Sequence, residues 1–444
     1  MFSRPTISTR SPVEFDRCFS YSLLLALAVS LLPGCTISRT FSATTDCNYK
    51  RIKLQKWSQD SAQENGTIRV LLIHGMNNHP FGFAGRPELD GCTTYAELQQ
   101  KLSGNLTLAD RQRLRTRAIQ SQFDYFIKRL ASKLEVGEEA PADPKDFTII
   151  RTSDDGPALG YMFTRSFGAT GPGHRALKFY IANWALGACV SKEQQFGGWA
   201  GTSKSEKLQG DRDFDSRLDK YRAAINKSLK WSTIDWGLGD AALYLSPTAG
   251  EKFRQVVRAG VQRLQSETGP RDRVAIVSAS LGSTITLDTV SAMLGSAGVR
   301  SLFTRSDQFA DYPKQQPRAV FYMFANQFAL LTLGRPPRER VNPLIQLDNA
   351  LKNAGARTTV QIYAFTDPND ILSLPLNTKL DRVSICNVYV RNPGFTVGLF
   401  MHPGDAHANY EKNNHVIATL LNGPEKKPET PDDCLEARNS RAFP

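Results

Sequence analysis

Histidine and cysteine are scarce in this chain, six and seven among 444 residues. No two cysteines have the spacing of a zinc site. His74 and His79 lie five apart with no adjacent cysteine or carboxylate, which argues against a metal site there. After residue 40 no apolar run approaches the roughly 20 residues that cross a bilayer as a helix. There is no internal repeat, which argues against solenoids and propellers, and no extended low-complexity tract. The formal charge is +12, yet the basic residues form no stripes interleaved with aromatics, so nucleic acid is not an expected partner. What remains is the composition of a globular protein with a large core, 41% hydrophobic and 22% charged.

The first 35 residues stand apart. Arg4, Arg10 and Arg17 precede an apolar run over 20–32 (SYSLLLALAVSLL), then Pro33-Gly34-Cys35. A basic segment, a short apolar segment and small residues at the cut describe a secretory signal. Leu32-Pro33-Gly34-Cys35 resembles the lipobox of bacterial lipoproteins. That resemblance implies removal of residues 1–34, lipid on the sulfur of Cys35, and membrane association through that lipid. Thr36 in place of aspartate implies the outer membrane of the cell envelope, facing the periplasm. An ordinary signal peptide or a single signal anchor is the alternative. Removal of 1–34 deletes three arginines and two carboxylates, so the body stays strongly basic and is attracted to anionic headgroups. Five cysteines remain beyond Cys35, an odd number, so at least one stays free in an oxidising compartment. Cys47, Cys92 and Cys434 lie in polar sequence and are the expected pairing partners; Cys386, inside VSICNVYV, is expected in the core, and Cys189 opens a polar stretch.

Residues 36–64 are polar and are expected to form a tether plus an initial strand, so residues 35–65 precede the main domain. Strand-like runs follow at 68–73, 147–152, 177–185, 274–277, 319–324, 360–365 and 383–390. Helical patterns occupy 94–102, 108–134 (with Thr107 or Asp110 as cap), 251–265, 283–294, 344–354 and 416–421. Apolar runs of four to eight residues alternating with helices predict an α/β fold, a mostly parallel central sheet with helices on both faces. Long insertions follow the first and middle strands. The 189–230 stretch, rich in Gly, Lys, Ser, Gln and Asp, is a candidate lid or a solvated insertion without a role. Residues 66–422 are expected to form the domain and 423–444 a disordered tail.

Chemistry concentrates where those strands end. Residues 273–282 read RVAIVSASLG, an apolar strand entering a small-x-Ser-x-Gly turn at Ser280, and a helix pattern follows. The first strand run, IRVLLIHGM, ends in His74-Gly75; TTVQIYAFTDPND ends in Asp367 and Asp370; His407 comes later, in GDAHANY. Strand-HG, Ser, Asp, His in that order resembles the α/β-hydrolase superfamily, in particular its lipase and esterase-like members. The resemblance covers residues 66–422. It departs in one place, with Ser278 where the family usually has glycine two before the serine.

The resemblance implies Ser280 as nucleophile, His407 as its base, and Asp370, followed by an apolar run and a proline as in relatives, as the acid that orients the base, with Asp367 as the alternative acid or a turn former. His402 and His415 compete with His407, while His174 precedes the serine and is excluded by order. The oxyanion hole would be the backbone N–H groups of Leu281 and Met76. Trp184, Asn326 and Gln327, also at strand ends, line the pocket or simply pack. His74 is expected as a structural hydrogen bonder. No cofactor is implied, and the substrate would be a small-molecule or lipid ester. The competing expectation is a non-catalytic envelope protein that keeps a hydrolase fold for binding, and a weaker one is a metal-dependent hydrolase using His74 and His79.

Overall fold

Runs such as TIRVLLI and RVAIVSA are apolar at odd and even positions alike, so as strands they must be covered on both faces. The computed structural model describes residues 44–45, 52–76, 95–121, 123–168, 173–196, 238–303, 318–333, 335, 342–353, 360–392, 396–397, 400–401, 406–407 and 409–424. Among these, nine strands form one sheet: β1 (Thr44–Thr45), β2 (Thr67–Ile73), β3 (Thr148–Arg151), β4 (Ala158–Phe167), β5 (Ala176–Asn183), β6 (Arg273–Ala279), β7 (Ala319–Phe324), β8 (Val360–Thr366) and β9 (Val383–Tyr389). Their order is β1-β9-β8-β7-β6-β2-β5-β4-β3. The six strands from β9 to β5 are parallel, and β1, β4 and β3 add antiparallel edges. The expected mostly parallel α/β sheet is therefore present.

One face is covered by α1 (Leu54–Glu64), α2 (Tyr95–Ser103), α3 (Leu108–Ser121), α4 (Asp124–Leu134), α5 (Ala185–Phe196) and, near the chain's end, Asn414–Asn422. On the other lie α6 (Gly239–Leu245), α7 (Pro247–Glu267), α8 (Leu281–Met293), α9 (Ala297–Phe303), α10 (Phe328–Leu333) and α11 (Pro343–Asn353). Asn414–Asn422 is α12. Alternation along each strand divides the core: Val70, Leu72 and Val277 point to the first layer, Leu71, Ile73 and Ile276 to the second.

Several expectations need correction. Among the described residues of 36–64, Thr44–Thr45 form a two-residue strand and 54–64 is helical, with Leu54, Trp57, Ser58, Ser61 and Ala62 buried. Two serines on the inward face blunt its apolar period. The helix expected over 108–134 is two helices, α3 and α4. Phe123, buried and at φ 55°, breaks them apart and redirects the chain. Its start has the reciprocal cap: Thr107 Oγ1 accepts the Asp110 N–H at 3.1 Å, and Asp110 Oδ2 accepts the Thr107 N–H at 3.0 Å. The strand β4 was not anticipated. Residues 189–196 of the candidate lid are the end of a core-packed helix, and its remainder lies outside the described residues. Cys386 is buried as expected and is disulfide-bonded, while Cys189 is a buried thiol outside any disulfide. Residues 1–34, Cys35, Cys47, Cys92, Cys434 and the tail beyond 424 lie outside the described residues. No helix among the described residues is long and apolar enough to cross a membrane.

After β2 the chain crosses to β3 at the edge, returns through β4 to β5 beside β2, and then passes to β6 on the other side of β2. Such a reversal opens a crevice at the carboxyl ends of the strands, which is where open α/β sheets hold ligands. Register aligns those ends, Ile73 with Ser278, Ala279 with Phe324 and Phe324 with Phe365. The residues that follow β2, β6, β7 and β8 thus share one edge.

Candidate active site

Ser280 sits between β6 and α8 with φ 54° and ψ −128°, a backbone conformation rare for any residue but glycine. Holding it costs of order 1–3 kcal/mol. Two bonds secure it: the Ser280 N–H donates to Phe324 O at 2.7 Å, and the Ser283 N–H donates to Ser280 O at 3.0 Å. The turn needs small neighbours. A Cβ on Gly282 would lie 2.2 Å from His74 O, and one on Gly75 would lie 2.7 Å from Ser280 Cβ. Ser278, the departure from the resemblance, is fully buried and donates its hydroxyl hydrogen to Ser283 Oγ at 3.2 Å. The elbow therefore accommodates the extra hydroxyl with a partner.

His407 reaches the serine from the far end of the chain. Its Nε2 is 2.9 Å from Ser280 Oγ, and its Nδ1 is 2.9 and 3.0 Å from the two oxygens of Asp370. The carboxylate sets the tautomer: Nδ1 carries the proton and donates it, leaving Nε2 to accept from the serine. The Asp370 side chain is fully buried while the His407 ring is 20% exposed, so the base is open to the crevice and its acid is not. Asp370 also accepts the Leu372 N–H at 3.0 Å and the Tyr410 hydroxyl at 3.1 Å. Tyr410 in turn accepts the Asp367 N–H at 2.7 Å. Burial, reinforced by the Asp370 charge, pushes the Tyr410 hydroxyl above its ordinary range, so it remains a donor.

Asp367 does something else. Its carboxylate accepts the Asn369 N–H at 2.8 Å, the Asn369 side-chain amide at 3.0 Å and the Asn392 N–H at 2.6 Å. It forms the turn and ties β8 to the end of β9, and His407 is bonded to Asp370 instead. Leu281 opens α8, where a first-turn N–H has no acceptor within the helix. Met76 follows Gly75, whose backbone lies against the serine. Both N–H groups thus belong to segments that flank Ser280.

The remaining candidates fall elsewhere. His74 is buried between strands: its Nδ1 is 2.8 Å from Gly75 O, its Nε2 accepts the Trp184 N–H at 3.1 Å, and burial pushes it down to about 3. It is neutral and fully engaged, a fastener of the β2 loop. Trp184 stacks on His74 at 4.5 Å and on Phe253 at 4.8 Å, so it packs behind the loop and does not line the crevice. Asn326 caps α10 by accepting the Phe328 N–H at 3.2 Å, and its carbonyl holds the Leu374 N–H at 2.9 Å. Gln327 is buried beside it. The His415 N–H donates to Asn413 at the cap of α12, and His174 precedes β5 at the opposite edge of the sheet. His402 and His79 lie outside the described residues. Among the described residues no group of three or more His, Cys, Asp or Glu is placed to hold a metal.

Three residues that hold the site together are absent from the sequence candidates. Tyr410, Asn392 and Asn413 act through partners 20 to 40 positions away in sequence. A signal existed for one: Asn413 precedes an apolar helical run, the pattern of a helix cap. Comparison of the whole chain with models of protein families, with curated proteins and with solved structures gives no match, so what this site can do is read from its geometry alone.

Proposed function

We propose that the chain is a serine hydrolase of the α/β-hydrolase type that cleaves carboxylic esters through an acyl-enzyme. The observation that carries this is His407, with Nε2 at 2.9 Å from Ser280 Oγ and Nδ1 at 2.9 Å from a buried Asp370, on a serine held at φ 54°. Oγ attacks the ester carbonyl carbon and passes its proton to Nε2. The Leu281 and Met76 N–H groups face the negative oxygen that forms. The tetrahedral carbon then expels the alcohol, which takes the proton from Nε2, and water repeats the sequence to release the acid. Asp370 stabilises the imidazolium at each stage without taking its proton.

We place the enzyme at the bacterial cell envelope, tethered through lipid on Cys35 and probing lipid or other acyl esters there. The bonded state of Cys386 fits an oxidising compartment, and the basic body fits an anionic surface. The test is labelling of the mature protein with a fluorophosphonate. Labelling lost in Ser280→Ala supports the reading; a folded protein that never labels removes it in favour of a binding role. For the tether, Cys35→Ser is expected to move the protein from the membrane fraction to the soluble one. Retention in the membrane would sink the lipid anchor.

A further inference from the structure

We propose that Asn392 is a positioning residue for the His407 base, acting through the main-chain carbonyl of Ala406. The inference rests on reading Ser280, His407 and Asp370 as a working triad. Asn392 lies just beyond β9 and is 2% exposed. Its Nδ2 donates to Ala406 O at 2.5 Å, the peptide group that leads into His407. Its own N–H donates to Asp367 Oδ2 at 2.6 Å, and its Oδ1 accepts from Asn413 Nδ2 at 2.9 Å.

Each of those partners is itself anchored. Asn413, also buried, donates a second bond to Arg391 O at 2.9 Å and caps α12 by accepting the His415 N–H at 2.8 Å. Asp367 ends β8 and is pinned by its own N–H to Tyr410 Oη at 2.7 Å. The ends of β8 and β9 and the start of α12 therefore converge on one side-chain amide, and that amide grips the chain one residue before the base. His407 bridges two hydrogen bonds of 2.9 Å. A displacement of about 1 Å at such a bridge costs on the order of 100-fold in rate. The ring is itself 20% exposed. The backbone grip supplies the constraint.

The residue type follows from the same contacts. Position 392 must donate to a carbonyl from one end of a planar group and accept an amide N–H at the other, while buried. Asparagine does both. Aspartate has the same shape but places an oxygen against Ala406 O, and a buried carbonyl loses its donor. Nothing on Asn392 touches a reacting atom.

The experiment compares wild type with Asn392→Asp in three measurements: fluorophosphonate labelling rate, kcat and KM for p-nitrophenyl butyrate, and the far-downfield proton resonance of the His407 Nδ1–H. Asn392→Asp is expected to lower labelling and kcat together by roughly 10- to 100-fold, with KM unchanged within about twofold, and to shift or broaden the Nδ1–H signal. A purely structural role would lower the amount of folded protein and leave both kcat per folded molecule and the signal alone. A folded Asn392→Asp with wild-type kcat and an unchanged signal overturns the proposal. If Asn392→Asp does not fold, Asn413→Ala removes the brace behind the amide, together with the α12 cap and the bond to Arg391 O, with an expected fall of roughly 3- to 10-fold in kcat per folded molecule; wild-type kcat and signal in that variant overturn it equally. A wild type that neither labels nor turns over ester, yet loses the downfield signal in Asn392→Asp, sinks the triad reading and leaves the positioning intact.

Discussion

The two edges of the central sheet both gather polar groups, and they treat buried carboxylates in opposite ways. At the amino edge, Asp272 accepts Arg69 Nε at 2.6 Å together with the Thr67 and Gly269 N–H groups at 2.7 Å, and Glu267 accepts Lys178 at 2.7 Å and the Tyr180 hydroxyl at 2.7 Å. Each acid there has a permanent cation. At the carboxyl edge, Asp370 and Asp367 are more deeply buried, and among the contacts described above no lysine or arginine touches them. Neutral N–H and O–H donors hold them, plus one imidazole. A permanent cation would quench the acid; neutral donors fix its position and leave its charge to act on His407. The difference separates an edge that holds the strands from an edge that can do chemistry.

Substitutions at the two edges should therefore separate rate from stability. The largest effect is expected from Ser280→Ala, which should abolish labelling and lower ester turnover by about 10⁵- to 10⁶-fold while leaving the thermal midpoint nearly unchanged. Residual labelling at the wild-type rate would mean that another residue is the nucleophile. Next, Asp370→Asn should reduce kcat about 10⁴-fold through the wrong tautomer of His407. Asp367→Asn should instead lower stability by about 1–3 kcal/mol, because a buried acceptor is exchanged for a donor, with a much smaller loss in kcat. Equal kinetic losses in the two variants would erase the distinction between an acid and a turn former. Across the sheet, Asp272→Asn should lower stability in urea by about 3 kcal/mol and leave the labelling rate per folded molecule untouched.

A subtler contrast involves His74. Its folded value of about 3 lies below the ordinary 6.5, so the unfolded chain binds a proton that the folded chain refuses. Stability should rise with pH between about 3 and 6.5, and this contribution is complete above that window. In His74→Gln the slope of the urea midpoint across that range should flatten; an unchanged slope would show that other groups dominate acid unfolding. The smallest effect is expected from Tyr410→Phe, about a tenfold loss in kcat as Asp370 gives up one donor, with its ring still stacked on Phe324 at 6.2 Å. A Phe variant as fast as wild type would make Tyr410 a packing residue only.

What could be read in the sequence was what is encoded locally. The parallel strands are visible because burial on both faces forces unbroken apolar runs, and the elbow is visible because a strand, small residues and a helix adjoin over residues 273–293. The strand β4 was missed. Its sequence, ALGYMFTRSF, includes a glycine and an arginine, and that arginine, Arg165, is neutralised inside the fold by Asp124 and Glu139. Helix α1 was missed because serines occupy its inward face. The order of the chain ranks Ser280, Asp370 and His407, and the Ile-Leu-Ser-Leu-Pro run after Asp370 favours it over Asp367, which stands before a proline as turn formers do. The partners separate the two physically, Asn392 for Asp367 and His407 for Asp370, at 25 and 37 positions' distance.

The backbone at position 280 also limits what this site can become. At φ 54° a β-branched side chain clashes with its own main chain, so threonine is barred from the seat despite carrying the same hydroxyl. Cysteine is not barred, because exchanging oxygen for sulfur leaves the branching at Cβ unchanged. The accessible alternatives to the proposed nucleophile are thus set by a dihedral angle before reactivity is considered, and a thiol in its place lies one atom away.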